Sequence, residues 1–195
     1  MATKSSFQKL EQEAFKAGIT PRTKQSLNWF KKRLKSFNIS RPALLKDEEL
    51  LRVDKPFPGR MYMYFYDPKH KETLPYYDRF PLIILVDKVE GGFTGLNLHY
   101  LPPNLRAKFF DKLTEYTNNK TYTTSTKFRL TYNFLKSASS LKEFRPCYKR
   151  YLTAKVQSRI TQVPATEWEV ALFMPTEQFQ KNSKGTVWKK SRSLI

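Results

Sequence analysis

From Arg60 the chain alternates. Met61, Met63 and Phe65 fall on one side of an extended backbone, and Tyr62, Tyr64 and Tyr66 on the other. This is a strand with one apolar face and one tyrosine face. Asp67-Pro68-Lys69-His70-Lys71 reads as a turn. A second strand spans residues 80–89, after the loop Leu74-Pro75-Tyr76-Tyr77-Asp78. Glu90-Gly91-Gly92 marks a hairpin, because paired glycines supply the positive φ of primed turns. A third strand, 93–100, sets Leu96, Leu98 and Tyr100 against Phe93, Gly95, Asn97 and His99.

Helical patterns flank and interrupt these strands. Residues 5–17 form a helix closed by Gly18, and Thr20-Pro21 caps a second, in which Leu27, Phe30, Leu34 and Phe37 share a face. Residues 38–58, with three prolines and four acidic residues, read as a linker with a helical turn at 46–52. Pro102-Pro103 ends the third strand and opens a helix carrying Leu105, Phe109, Leu113 and Tyr116. Another helix covers 127–137, with Phe128, Tyr132 and Leu135 inward. Residues 159–163 and 167–173 read as strands, the latter aligning Trp168, Val170 and Leu172. The fold class is α+β: a small antiparallel, barrel-like sheet, SH3-like or OB-like, with N-terminal helices and a helical insertion. The organisation is a basic helical arm and linker over 1–58, an α+β core over 59–180, and a basic tail over 181–195. The tail's composition points to disorder over much of its length.

Charge narrows the partners. The 195 residues carry a formal net charge of +19. It is +7 over 1–58, zero over 59–101, +10 over 102–161, −3 over 162–180 and +5 over 181–195. A neutral aromatic centre thus carries cationic flanks. Such an excess opposes compaction and attracts polyanions: DNA, RNA, an anionic membrane surface or an acidic protein. No apolar run is long enough to span a bilayer. Cys147, the single cysteine, excludes an intrachain disulfide and fits a reducing compartment.

The templates for catalysis are thin. Six glycines form no phosphate-binding loop, and His70 and His99 lie 29 residues apart with no metal-ligand spacing. A metal-dependent nuclease needs converging carboxylates. Asp67 is accounted for by its turn and Asp78 by a pairing with Arg79, while no pattern forces either beside Glu167 or Glu169. We therefore expect no enzyme activity, no metal and no cofactor. His99 reads as a hydrogen-bonded histidine at a sheet surface.

Four basic clusters remain. Lys31, Lys32, Arg33 and Lys35 adjoin Trp29, and Lys127 and Arg129 follow a Thr-rich loop. Lys149, Arg150, Lys155 and Arg159 form a third run, and Lys189, Lys190 and Arg192 follow Trp188. Such side chains neutralise phosphates without regard to sequence, and neighbouring aromatics stack on unpaired bases. The competing reading makes Trp29 core and the lysines a solvated face. No base-reading module is present.

The stretches Gly59–Lys69, Leu74–Leu82 and Gly92–Pro102, in that order, resemble a block of the DNA end protector (terminal head) proteins of T-even-type tailed phages. The resemblance implies a virion protein, assembled in the host cytoplasm. It would bind the end of packaged double-stranded DNA near the head–neck and portal, and shield it from host exonuclease. Its partners would be DNA ends and other virion proteins of the portal, neck or tail, in a large oligomeric assembly and without a membrane. The alternative is a neck, tail or baseplate adaptor whose basic arms grip neighbouring virion subunits.

Overall fold

A computed structural model describes residues 3–20, 22–117, 120–138 and 140–193. The elements in chain order are helices α1 (Ser6–Lys16), α2 (Lys24–Ser36) and α3 (Arg41–Lys46), then strands β1 (Arg52–Val53), β2 (Met61–Met63), β3 (Tyr77–Asp78), β4 (Leu82–Val89) and β5 (Gly92–Asn97). There follow α4 (Pro103–Thr117), α5 (Thr124–Ala138), β6 (Tyr148–Leu152), β7 (Ile160–Val163), α6 (Trp168–Phe173), β8 (Phe179–Gln180) and α7 (Lys184–Ser193). The expected α+β class is what forms.

Six strands make one antiparallel sheet in the order β1-β7-β2-β4-β5-β6, and β3 pairs with β8 apart from it. The ladder is open, with β1 and β6 as edges, so it does not close into the barrel expected of an SH3-like or OB-like chain. Its two faces are nonetheless both covered. Tyr66 bridges to Val156, on the connection from β6 to β7. Against that connection Tyr62, Tyr64, Tyr66, Phe93 and Tyr151 gather with Ile83, Leu85 and Ile160 into a small apolar cluster. Tyr64 meets Tyr66, Phe93 and Tyr151 edge-on, with ring centroids 5.7–6.3 Å apart. The opposite face, with Met61, Met63, Leu82, Ile84 and Val163, belongs to the main core. The period of two at residues 61–66 thus divides two cores rather than a core from solvent.

The main core draws on the whole chain. Phe7 and Leu10 of α1, Phe30 of α2, Phe109 of α4, Leu135 of α5 and Val187 of α7 share one cluster. Ser5 starts α1 with a capping box: its side chain accepts from Gln8, whose side chain accepts from the Ser5 N–H. Gly18 closes that helix at φ +64°, a left-handed conformation that glycine adopts without a Cβ clash. Thr23, not Thr20, caps α2, and Pro21 lies outside the described residues. Leu27, Phe30 and Leu34 face inward, but Phe37 is the C-cap and is exposed. Within 38–58, α3 comes earlier than the expected turn, and Leu44, Leu45 and Leu50 are buried rather than linker-like. The side chain of Phe128 lies outside the described residues.

Two elements depart further from the sequence reading. Residues 168–173 are helical, not extended: Trp168, Val170, Ala171, Leu172 and Phe173 are all buried. A helix apolar all round satisfies an alternating pattern as readily as a helical one. The third strand stops at Asn97, whose side chain accepts from the His99 N–H and turns 98–100 into a 3-10 turn. Residues 181–193 of the tail pack onto the fold. Val187 and Ser191, one helical turn apart on α7, are both fully buried. Ser191 Oγ donates to the Tyr100 carbonyl at 2.8 Å, and Lys181 Nζ to those of Glu72 and Leu74 at 2.6 and 3.1 Å.

Of the paired glycines, only Gly91 takes a positive φ, +69°. Gly92 is already in β5, and a Cβ there would lie 1.9 Å from the Tyr151 carbonyl oxygen. Gly92→Ala is accordingly expected to cost about 1–3 kcal/mol of stability through overpacking, read as a lower denaturant midpoint. Deleting residues 181–195 is expected to cost at least about 2 kcal/mol, from Val187 alone. A truncated chain melting at the wild-type temperature would show that α7 adds nothing to the fold.

Candidate nucleic-acid interface

Helix α2 places Lys31 and Lys35 one turn apart on its outer side. Helix α7, capped by the Ser183 hydroxyl at the Thr186 N–H, places Lys184, Trp188 and Arg192 on successive turns. One cleft, of about 680 Å³, lies between these helices and the start of α4, and an adjoining one, of about 530 Å³, lies between α2, Arg41 and residues 175–184; they share Lys31, Pro175, Glu177 and Lys184 as lining residues. Arg22, Lys31, Lys35, Arg41, Lys184 and Arg192 line them, against the single carboxylate of Glu177. Arg22 is engaged by Asp111 and Glu169, and Lys184 by Glu177 at 2.9 Å. Arg41 donates only to the carbonyls of Thr176 and Glu177. No carboxylate among the described residues pairs with Lys31, Lys35, Arg41 or Arg192. These positive charges are uncompensated, the condition for attracting phosphates and releasing their counterions.

The floor of this cleft is a buried polar framework. Arg106, 1% exposed, donates to the carbonyls of Leu101, Leu172 and His99 at 2.8, 2.9 and 3.2 Å. Trp188 Nε1 donates to the same His99 carbonyl at 2.9 Å. The His99 ring lies between Asp78, at 2.7 Å from Nδ1, and Thr176, at 3.2 Å from Nε2. Hydroxyl, imidazole and carboxylate in that order resemble an activated nucleophile, but all three residues are buried and the arrangement braces the core. Asp78 therefore pairs with His99 and not with Arg79, which is exposed, and His99 lies inside the protein rather than on a sheet surface. Burial pushes the Asp78 carboxyl up. The His99 ring and the donors of Gln178 and Asn97 outweigh it and hold the carboxyl below its ordinary range.

The four sequence clusters are not all brought together. Lys31 lines both of the adjoining clefts, Lys35 only the smaller and Arg192 only the larger. Lys127 lines a separate cleft of about 780 Å³ with Arg60, and the two regions meet at Arg22. Lys32, Arg129 and Lys189 are exposed and line neither. Arg33 lies over Trp29 and 3.8 Å from Glu13, and Lys190 over Tyr76. Lys149 is turned onto the Tyr100 ring, Nζ 4.5 Å from its centroid, and burial pushes its ammonium down. Arg150 donates to the Glu90 carbonyl, and the Lys155 carbonyl accepts from the Asp67 N–H. Trp29 packs against the main core, whereas Trp188 lines the cleft. Arg22, Arg41, Arg106 and Glu177 escaped the sequence reading. None sits in a charge run, so no local pattern marks them. The carboxylates considered for cation binding stay apart: Asp67 pairs with Lys71, Glu167 with Ser5 and Glu169 with Arg22.

The fold is a two-core α+β domain with unpaired cations around two adjoining clefts. The chain belongs to the family of the phage T4 terminal DNA protecting protein, whose model matches residues 3–193. The match takes in both basic ends, well beyond the 59–102 block that carries the resemblance. No curated protein and no solved structure matches the chain.

Because Asp78 titrates below its unfolded value near 3.9, its contribution to stability is complete above about pH 4 and is lost as the pH falls through the folded value. Asp78→Asn is expected to cost about 3 kcal/mol at neutral pH and to flatten the acid limb of the stability profile. Thermal melts from pH 3 to 7 measure both.

Proposed function

We propose that this protein caps the end of packaged double-stranded phage DNA and shields it from host exonuclease, using the α2–α7 cleft. An exonuclease needs a free terminus, and a protein held there by ionic contacts is a steric block. The observation that carries the reading is the convergence of cations from residues 22–41 and 184–192 on one cleft, in a chain whose family is named for protecting terminal DNA. The protection needs no bond-breaking chemistry, and we take the protein to be a non-enzymatic virion component at the head–neck and portal. Exposed apolar side chains favour neighbouring subunits as additional partners: Phe15 is 87% and Phe57 63% exposed. An adaptor role in the neck, tail or baseplate would use the same surfaces.

Exonuclease digestion of linear duplex DNA, with and without the protein, tests this. Protection is expected near one protein per end, with affinity falling steeply as salt rises. The triple charge reversal Lys31→Glu, Lys35→Glu, Arg192→Glu should abolish it, whereas Arg150→Glu with Lys155→Glu should leave most of it. Equal effects of the two sets would remove the cleft from the reading. DNA incubated with the protein in magnesium or manganese, without exonuclease, should remain intact.

A further inference from the structure

The cleft contains one group that a phosphate site would exclude. The Glu177 side chain is only 5% exposed, although it lines both halves of the cationic cleft. Its Oε1 accepts from Lys184 at 2.9 Å. Its Oε2 is buried and has no hydrogen-bond partner among the described residues. Burial pushes this carboxyl up, but Arg106, His99 and Lys184 outweigh it and keep it ionised. A fixed carboxylate repels phosphate oxygens, and a buried acceptor is normally satisfied. The free oxygen calls for an N–H donor.

Trp188 supplies the second half of the site. Its ring is half-buried in the same cleft and is anchored by the Nε1 bond to the His99 carbonyl. The Arg106 guanidinium, itself held by three carbonyls, lies 5.5 Å from the ring centroid. The half-exposed Lys184 also lies over this ring, its Nζ 5.6 Å from the centroid, so a base reaches the positioned indole by displacing Lys184. Lys31 and Arg192 stand at the rim of the cleft as uncompensated cations. A flat face, one anionic acceptor and flanking cations are the three complements of a nucleotide: base, base-edge N–H and phosphate. The main cleft, about 680 Å³, is of the size that holds a small ligand.

We infer that the α2–α7 cleft takes in a single unpaired nucleotide at the DNA terminus, its base taking the place of Lys184 against Trp188 and an exocyclic amino group donating to the Glu177 carboxylate. This rests on the end-binding reading and deepens it. A paired base inside a duplex cannot stack on a side chain, so the site selects a frayed or overhanging end. Cytosine, adenine and guanine each carry an exocyclic amino group. Thymine offers only its N3–H, flanked by two carbonyl oxygens that a carboxylate repels, so thymine is the disfavoured base.

The test uses the full-length protein and hairpin duplexes with one accessible end: blunt, or bearing a single-nucleotide overhang of dC or dT. Fluorescence anisotropy gives the affinities. The dC overhang should bind about tenfold more tightly than the blunt end, the scale of one hydrogen bond to a charged acceptor. The dT overhang should gain markedly less. Glu177→Gln, judged folded by its melting curve, should erase the difference between dC and dT. Equal binding of blunt, dC and dT ends by the wild type overturns the nucleotide site but leaves end binding intact. Failure to bind any of the three at low salt overturns both. Because the wild-type comparison needs no variant, loss of folding in Glu177→Gln would not rescue the inference.

Discussion

Asp78 accepts four hydrogen bonds from three stretches of chain: the N–H groups of Phe80 and Gln178 on one oxygen, and Asn97 and His99 on the other. Through His99 the set extends to Thr176, and through Asn97 to the Tyr151 hydroxyl. One carboxylate thus joins β3, the end of β5, β6 and the segment leading to β8. The His99 carbonyl then carries both Arg106 and Trp188, so the wall of the cleft hangs from the same peptide. Buried groups of this kind specify geometry more than they add net stability, since their desolvation cost is large. Here the specified geometry is the floor of a cationic cleft.

The chain has to compact against its own charge. With +19 overall, repulsion is lowest when cations sit at the periphery and their apolar stems lie over the protein. The structure does this with aromatic rings. Lys149 lies over Tyr100, Lys88 over Phe57 and Lys190 over Tyr76. Each such contact holds a cation in place without consuming one of the few carboxylates. Among the described residues Lys31, Lys35, Arg41 and Arg192 of the clefts are left without a carboxylate partner. A chain of ordinary charge balance would have neutralised them.

The parts of the fold that were legible in the sequence are those with strong local periodicity. The tyrosine and methionine alternation at 61–66, the hairpin at Gly91 and the helices carrying Phe109 and Leu135 are all present. Helix α6 is hard to read because five of its six residues are buried and Glu169 alone leaves too little polar stripe to set the period. The tail was misread for the opposite reason: two buried positions, Val187 and Ser191, are too few to stand out in a polar segment. Strand β6 hides its character in a basic run, since only Tyr151 of its five residues is fully buried. At the site, charge runs disclosed Lys31, Lys35 and Arg192. Arg106 and Glu177 become visible only in three dimensions, because Arg106 donates to main-chain carbonyls and Glu177 meets Lys184 seven residues on, neither of which leaves a local charge pattern.

The cleft has its two walls at opposite ends of the chain, on α2 and on α7. During synthesis the first cationic wall leaves the ribosome well over a hundred residues before the second. A nascent chain therefore carries the α2 cations before the cleft exists. Docking of α7 gathers both sets of cations in one place, so the proposed site is a property of the folded chain and of no single segment of it.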